Sequence, residues 1–218
     1  AVLNRITGQD PSQILGALQS NGHVFLLNPN GIMFGRDARI DVNGLTASTL
    51  GLSDADFLAG RRNFSADAVS GNISNQGAIT TPNGGKVFLI AANVENNGII
   101  NTPNGEVVLA AGHSVQLVDS ANPDLRVVVS APAGETVNLG QVVSTGGKIG
   151  IYGALVRQRG VVNANSAVRG ADGKIILKAS GDTLLEAGSV TSATGAGTGG
   201  SVSVLGQRVA LTGDARID

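Results

Sequence analysis

The sequence predicts an all-β protein: a β-solenoid of short strands and tight turns wound coil upon coil. Three observations carry this expectation. The 218 residues include 32 glycines and are 42% apolar but only 3% aromatic. Such a composition suits many turns around a narrow aliphatic core, because a sandwich core takes more rings. The triplet Pro-Asn-Gly recurs at 29–31, 82–84 and 103–105. Finally, identical residues return 21 positions apart: Asn72 and Asn93, Asn75 and Asn96, Gly77 and Gly98, Pro82 and Pro103. A unit of about 20–27 residues made of strands and turns, stacked along an axis, is a solenoid coil. Leucine-rich repeats share the period, but their Leu-x-x-Leu-x-Leu pattern is missing.

In chain order, residues 1–7 read as a strand closed by Gly8, so the sequence is expected to start inside a larger protein. Asp10-Pro11-Ser12-Gln13 reads as a helix start, with Asp10 as N-cap, Pro11 at N1 and Gln13 at the capping-box position. Ile14, Leu15 and Leu18 give that helix an apolar face, and Asn21-Gly22 ends it. The runs 24–27 and 32–34 are short, apolar and bounded by turn residues, so they read as strands buried on both faces. Between them Asn28-Pro29-Asn30-Gly31 reads as a turn. Pro29 pre-sets φ, Asn30 tolerates the bridge or left-handed region, and Gly31 takes positive φ without steric cost. Residues 38–45 alternate with period two, with Gly44 at a turn. Residues 52–58 read as a short helix capped by Ser53 and stopped at Gly60.

From Gly71 onward the repeat dominates. Gly98, Gly140, Gly160 and Gly188 form one ladder of coil starts. Gly147-Lys148-Ile149, Gly173-Lys174-Ile175 and Gly200-Ser201-Val202 form a second, 26 and 27 apart. Stacking brings identical asparagines together, so Asn72/Asn93 and Asn75/Asn96 are expected to hydrogen-bond as ladders between coils about 4.8 Å apart. Residues 115–135 break the period and read as a β-hairpin outside the coil, with its turn at 120–124.

The same residues exclude several functions. The net charge is −1, which gives no electrostatic case for nucleic acid or anionic membranes. No apolar run approaches 18 residues, so no transmembrane helix and no membrane insertion are expected. There is no charged and apolar leader resembling a signal peptide. Cysteine is absent, which excludes disulfides and thiolate metal sites. That absence suits a chain exported unfolded through an oxidising compartment, and equally a small domain without cysteine by chance. His23 and His113 lie 90 residues apart with no third ligand suggested, so no metal is expected. The 16 carboxylates are dispersed, as at Asp37, Asp41, Asp54, Asp56 and Asp67, which argues against polysaccharide cleavage. Residues 195–200 are Gly-rich but lack the Lys-Ser/Thr of a phosphate loop. The sequence therefore reads as a non-enzyme with no cofactor.

Three stretches carry a family resemblance. Residues 1–7, residues 20–32 with Asn-Pro-Asn-Gly-Ile, and residues 44–50 with Thr-Ala-Ser-Thr resemble the secretion domain of two-partner secretion exoproteins. These are the filamentous haemagglutinin-like adhesins and contact-dependent inhibition proteins of Gram-negative bacteria. Ala131-Pro132 and Val137-Asn138-Leu139-Gly140 also fit the pattern, and the resemblance covers nearly the whole chain. It implies a right-handed parallel β-helix with extra-helical elements, forming a single domain over 1–218. The family's N-terminal capping strands are expected before residue 1 and are not in this sequence. It also implies an outer-membrane transporter partner that recognises the domain through periplasmic POTRA modules, unfolded export, and folding at the cell surface. A downstream passenger would then meet the host cell. Asn28, Pro29, Asn30, Gly31 and Ile32 match the motif linked to secretion, while their turn chemistry alone gives them a folding role. Arg61 and Arg62 read either as a docking pair for the transporter or as a solvated loop. A surface β-helix that itself binds host glycans or receptors is the alternative function. One Tyr, five Phe and no Trp leave it little capacity to stack sugars.

Overall fold

A computed structural model describes residues 1–66, 70–118, 127–130, 134–168 and 172–218. It is a parallel β-helix of three faces. The first two coils use long strands that bend around a corner. They are β2 (Ser12–Ile14) with β3 (Ala17–Leu27), then β4 (Ile32–Phe34) with β5 (Arg39–Ser48). β1 (Val2–Arg5) pairs with the second half of β3. From the third coil each face has its own strand. Coil 3 is β7 (Ile73–Asn75), β8 (Ala78–Thr80) and β9 (Lys86–Ala91), and coil 4 is β10 (Val94–Asn96), β11 (Ile99–Asn101) and β12 (Glu106–Ala111). Coil 5 is β15 (Glu135–Asn138), β16 (Gln141–Val143) and β17 (Lys148–Gly153), and coil 6 is β18 (Leu155–Gln158), β19 (Val161–Asn163) and β20 (Lys174–Ala179). Coil 7 is β21 (Asp182–Leu185), β22 (Val190–Ser192) and β23 (Ser201–Leu205), and β24 (Arg208–Leu211) with β25 (Arg216–Ile217) begins an eighth.

The first face is an eight-stranded parallel sheet in the order β2-β4-β7-β10-β15-β18-β21-β24. The second and third faces are joined through β5, which pairs with β8 by its first half and with β9 by its second. Gly44 lies where β5 bends between them, in a continuous strand rather than the expected turn. Coil stacking builds the interior from columns of aliphatic side chains. Ile40, Ile79, Ile100, Val142 and Val162 are in register down the second face, and all are buried. Each buried Val or Ile contributes about 1.5–3 kcal/mol.

Two insertions leave at the same corner, after β5 and after β12, and meet on the flank. The first contains α1 (Asp54–Leu58) and β6 (Arg62–Ser65), and the second contains β13 (Ser114–Leu117) and β14 (Val127–Ser130). β13 pairs antiparallel with both β6 and β14. The resulting three-stranded sheet covers part of the third face, which explains why β9 and β12 are buried on both sides. Phe64, Val115 and Val127 from this sheet pack with Phe88, Ile90, Val108 and Tyr152 in a second core. The expected turn at 120–124 and the Ala131-Pro132 pair lie outside the described residues, as does Asp67. Glu135 already belongs to the first face as the start of β15.

One sequence expectation is overturned. Residues 10–21 do not form a helix; they form β2 and the start of β3. Asp10, Pro11 and Gln13 fit helix caps, but an isolated three-turn helix is marginal and yields to tertiary pairing. Here Ser12, Gln13 and Ile14 pair with Ile32, Met33 and Phe34. The second helix is present as α1, and Ser53 Oγ accepts from the Asp56 N–H at 3.1 Å. A smaller correction concerns Gly188. Val190 pairs with Val161, so Ser189, not Gly188, holds the position of Gly160.

Candidate functional site

The Asn-Pro-Asn-Gly-Ile turn joins the first three coils. Asn28 is fully buried. Its Nδ2 donates to the Asp10 carbonyl at 3.0 Å and to Ser12 Oγ at 2.9 Å, both in the first coil. Its Oδ1 accepts from the Asn30 N–H at 2.9 Å, which closes the turn from inside. Gly31 has φ +127, a region that favours glycine, and its N–H donates to the Asn28 carbonyl. The Pro29 carbonyl accepts from Gly71 N–H at 2.7 Å, and Ile32 N–H donates to the Asn72 carbonyl at 3.0 Å, both toward the third coil. Ile32 is buried, whereas the Pro29 and Asn30 side chains are exposed. Asn30 Nδ2 donates to the Gly8 carbonyl at 2.9 Å.

Pro29 also lines a groove of about 810 Å³ between the β1 end and the flank insertion, with Arg5, Leu27, Ser53 and Phe64 among its walls. Arg5 bridges that groove, donating to the Leu52 carbonyl at 2.8 Å and pairing with Asp54 at 2.9 Å. The two candidate docking arginines are drawn to different partners. Arg61 pairs with Asp56 at 2.6 Å, and its hydrogen bond holds that carboxyl below the usual range. Arg62 sits over the Phe88 ring, 5.3 Å from its centroid.

The asparagine ladders form as the stacking argument expects. Asn75 Nδ2 donates to Asn96 Oδ1 at 2.8 Å, and Asn93 Nδ2 donates to Asn72 Oδ1 at 2.9 Å. The buried ladder is longer than its two asparagines. Asn96 Nδ2 donates to Asn138 Oδ1 at 2.8 Å, and Asn138 Nδ2 donates to Gln158 Oε1 at 2.8 Å. The Asn96–Asn138 rung spans the whole second insertion. Sequence spacing hid both added members, because the insertion doubles the interval and Gln replaces Asn in the last rung.

His113 is exposed, whereas His23 is partly buried. His23 Nε2 lies 2.8 Å from Thr46 Oγ1, and its ring lies flat against Gly44, where a Cβ would be 2.3 Å from Nδ1. Burial first, then the charges of Arg62 and Lys86, lower its pKa to about 4. Among the described residues no three His, Asp or Glu side chains cluster as metal ligands.

A family model described as the TPS secretion domain matches residues 1–216. The chain belongs to the TPS secretion domain family. The crystal structure of the HMW1 secretion domain from Haemophilus influenzae superposes with a TM-score of 0.91 at 39% identity, covering 99% of this chain and 58% of that one. Two Haemophilus influenzae proteins named heme/hemopexin-binding protein are 52% and 50% identical over 46 residues. Those alignments cover 21% of this chain and 5% of each relative, so the TPS domain matches a small part of much longer proteins. The family and fold are those of a secretion domain of an exoprotein that Gram-negative bacteria secrete with an outer-membrane transporter partner.

Proposed function

We propose that this TPS domain is the segment its outer-membrane transporter recognises, and that its first three coils nucleate the β-helix at the cell surface. It would cross the periplasm unfolded, meet the transporter's POTRA modules, and act without catalysis. The observation that carries the folding half is the Asn28 side chain. It is buried, fully engaged, and ties the first coil to the second, while the same turn's backbone bonds the third. Asn28 to Ile32 therefore act as a latch, and a closed latch gives later coils an edge on which to stack. Groups aimed at a transporter in the folded state are confined to Pro29 and Asn30, with Arg61 as a neighbouring charge. What the passenger binds, including host surfaces, lies beyond this domain.

The test is co-expression with the transporter, followed by measurement of protein in the medium. Asn28→Ala and Asn30→Ala are compared with wild type, and the purified variants are refolded in parallel. The latch account expects export to fall with refolding stability, Asn28→Ala being the more affected. A variant that refolds like wild type yet stays in the periplasm would show that the transporter reads the motif itself. Failure of the wild type to be exported would remove the secretion reading.

A further inference from the structure

The three faces turn different residues outward. The first is laced with ion pairs: Arg157 and Arg159 share Glu186 at 2.5 Å each, and Arg208 pairs with Asp182 at 2.5 Å. The third carries Lys86, Glu106, Lys148 and Lys174 in one register row. On the second face each strand buries a middle residue, such as Ile79 or Ile100, and turns the residues on either side outward. Stacking sets these in two columns. From coil 2 onward, one runs from Arg39 to Arg216, with Ile99, Val161 and Val190 between them. The other runs from Asp41 through Thr80, Asn101 and Val143 to Asp218, whose N–H donates to the Thr191 carbonyl at 2.9 Å. Coils 3 to 7 place no charged residue in either column. Ile99 is 46% exposed, and Val143, Val161 and Val190 are half-buried. Arg39, Asp41, Arg216 and Asp218 are exposed. A partly aliphatic centre with charges only at its ends has the layout of a protein interface.

The order of those charges selects the partner. A closed dimer places one surface against itself about a twofold axis. Two such axes can stack this face on its own copy. With the axis along the strands, coil 2 meets coil 8 and each column meets itself. Arg39 then faces the second copy's Arg216, and Asp41 faces its Asp218, like charge on like. With the axis along the helix, each coil meets the same coil and the columns exchange. Arg39 then faces the second copy's Asp41, and Arg216 faces its Asp218, twice over by symmetry. Arg216 and Asp218 already pair within one copy at 2.9 Å, so the four groups at that end form one cluster of alternating sign. Midway, Val143 of each copy falls between the levels of Ile99 and Val161 of the other. Seven coils about 4.8 Å apart, on a face about 20 Å wide, give about 600 Å² per copy, which is the lower end of specific interfaces.

We propose that the outer side of the second face is a dimerisation surface, on which two copies of this chain pack face to face and run in the same direction. The aliphatic centre supplies contact area, and the Arg–Asp pairs at coils 2 and 8 fix direction and register. The surface is separate from the Asn28 turn and does not depend on the reading given above for it.

The test is sedimentation velocity of the purified domain from about 10 to about 500 µM, with an expected monomer–dimer Kd of about 100 µM. Added salt should weaken the dimer. Arg39→Asp alone and Asp41→Arg alone should each weaken it by about tenfold or more, because coil 2 then meets its own charge. An equimolar mixture of these two variants should dimerise again, since an acidic coil 2 meets a basic one. Ile99→Asp should weaken self-association by about tenfold or more. All three substitutions are at exposed positions, and circular dichroism and thermal unfolding should match wild type. A wild type that stays monomeric at the highest concentration would overturn the proposal, as would a mixture that stays monomeric. Arg39→Asp dimerising more tightly than wild type would also overturn it, by showing that coil 2 meets coil 8. So would a dimer that Ile99→Asp leaves unchanged, by placing the contact elsewhere.

Discussion

The first face leaves its strands by two kinds of corner. In coils 3 to 6 the strand ends in an amide residue, Asn75, Asn96, Asn138 or Gln158, and the next strand begins after two residues: Gln76-Gly77, Asn97-Gly98, Leu139-Gly140 and Arg159-Gly160. In coils 2, 7 and 8 the strand ends in Phe34, Leu185 or Leu211, and the corner takes four residues, 35–38, 186–189 and 212–215. The first coil ends in Ile14 and keeps a short corner, but it is open to solvent at Gly16. The difference has a chemical cause. A two-residue corner leaves backbone groups facing a buried interior, and the amide side chains bond them: Gly77 N–H to Asn75 Oδ1 at 3.2 Å, and Gln158 Nε2 to the Gly160 carbonyl at 2.9 Å. Such a corner also needs glycine. A Cβ at Gly98, Gly140 or Gly160 would lie 2.1 Å from the carbonyl oxygen of the glycine one coil below. A Leu in place of the amide bonds nothing, so the chain takes a longer path.

The largest effect expected from breaking this device is at Asn96. Asn96→Leu leaves Asn75 and Asn138 with buried unpaired amide groups. It should cost about 4 kcal/mol in urea unfolding, whereas Leu185→Ala, in the long-corner region, should cost only the cavity, about 2–3 kcal/mol. Gly98→Ala should cost about 3 kcal/mol or more, since backbone must move to admit the methyl group. If Gly98→Ala is neutral, the close stacking of corners is not what holds the coil spacing.

A pH titration separates the first coils from the rest. His23 titrates at about 4 in the fold against about 6.5 in the unfolded chain, so unfolding takes up a proton between those values. Stability should be complete above pH 6.5 and fall as the pH drops toward 4, by about 2 kcal/mol, since solvent still reaches part of the ring. His23→Phe should remove most of that slope. In coil 7 two buried hydroxyls, at the corner and in the strand after it, are expected to weaken the fold. Ser189, at the corner, and Thr191, in β22, bury hydroxyls that have no hydrogen-bond partner among the described residues. Ser189→Ala and Thr191→Val should each raise stability by about 1 kcal/mol.

How much of this was legible in the sequence depended on which force ruled each residue. The 21-residue spacing exposed the solenoid and the first rung of each ladder, because stacking repeats identical residues at a fixed interval. The Ser53 cap was legible because it is a local interaction. Residues 10–21 misled because local capping signals lost to pairing of 12–14 with 32–34 and of 17–20 with 39–42, partners that local propensity does not see. The Asn28 latch gave only half its meaning. Its turn was readable, but the bonds to Asp10 and Ser12 exist only once the first coil has come round. The meeting of the two flank insertions was hidden for the same reason, since β6 and β13 are brought together by the coils between them.

Hydrogen exchange of native Asn96→Leu against wild type tests the corner account most directly. In the wild type the Gly98 N–H donates to the Asn75 carbonyl and the Gly140 N–H to the Asn96 carbonyl, at 3.0 and 2.9 Å. The account expects Asn96→Leu to lose protection at Gly98 and Gly140 while Gly188 and Ser189 keep theirs. Uniform loss along the whole helix, or unchanged protection at Gly98 and Gly140, would contradict it.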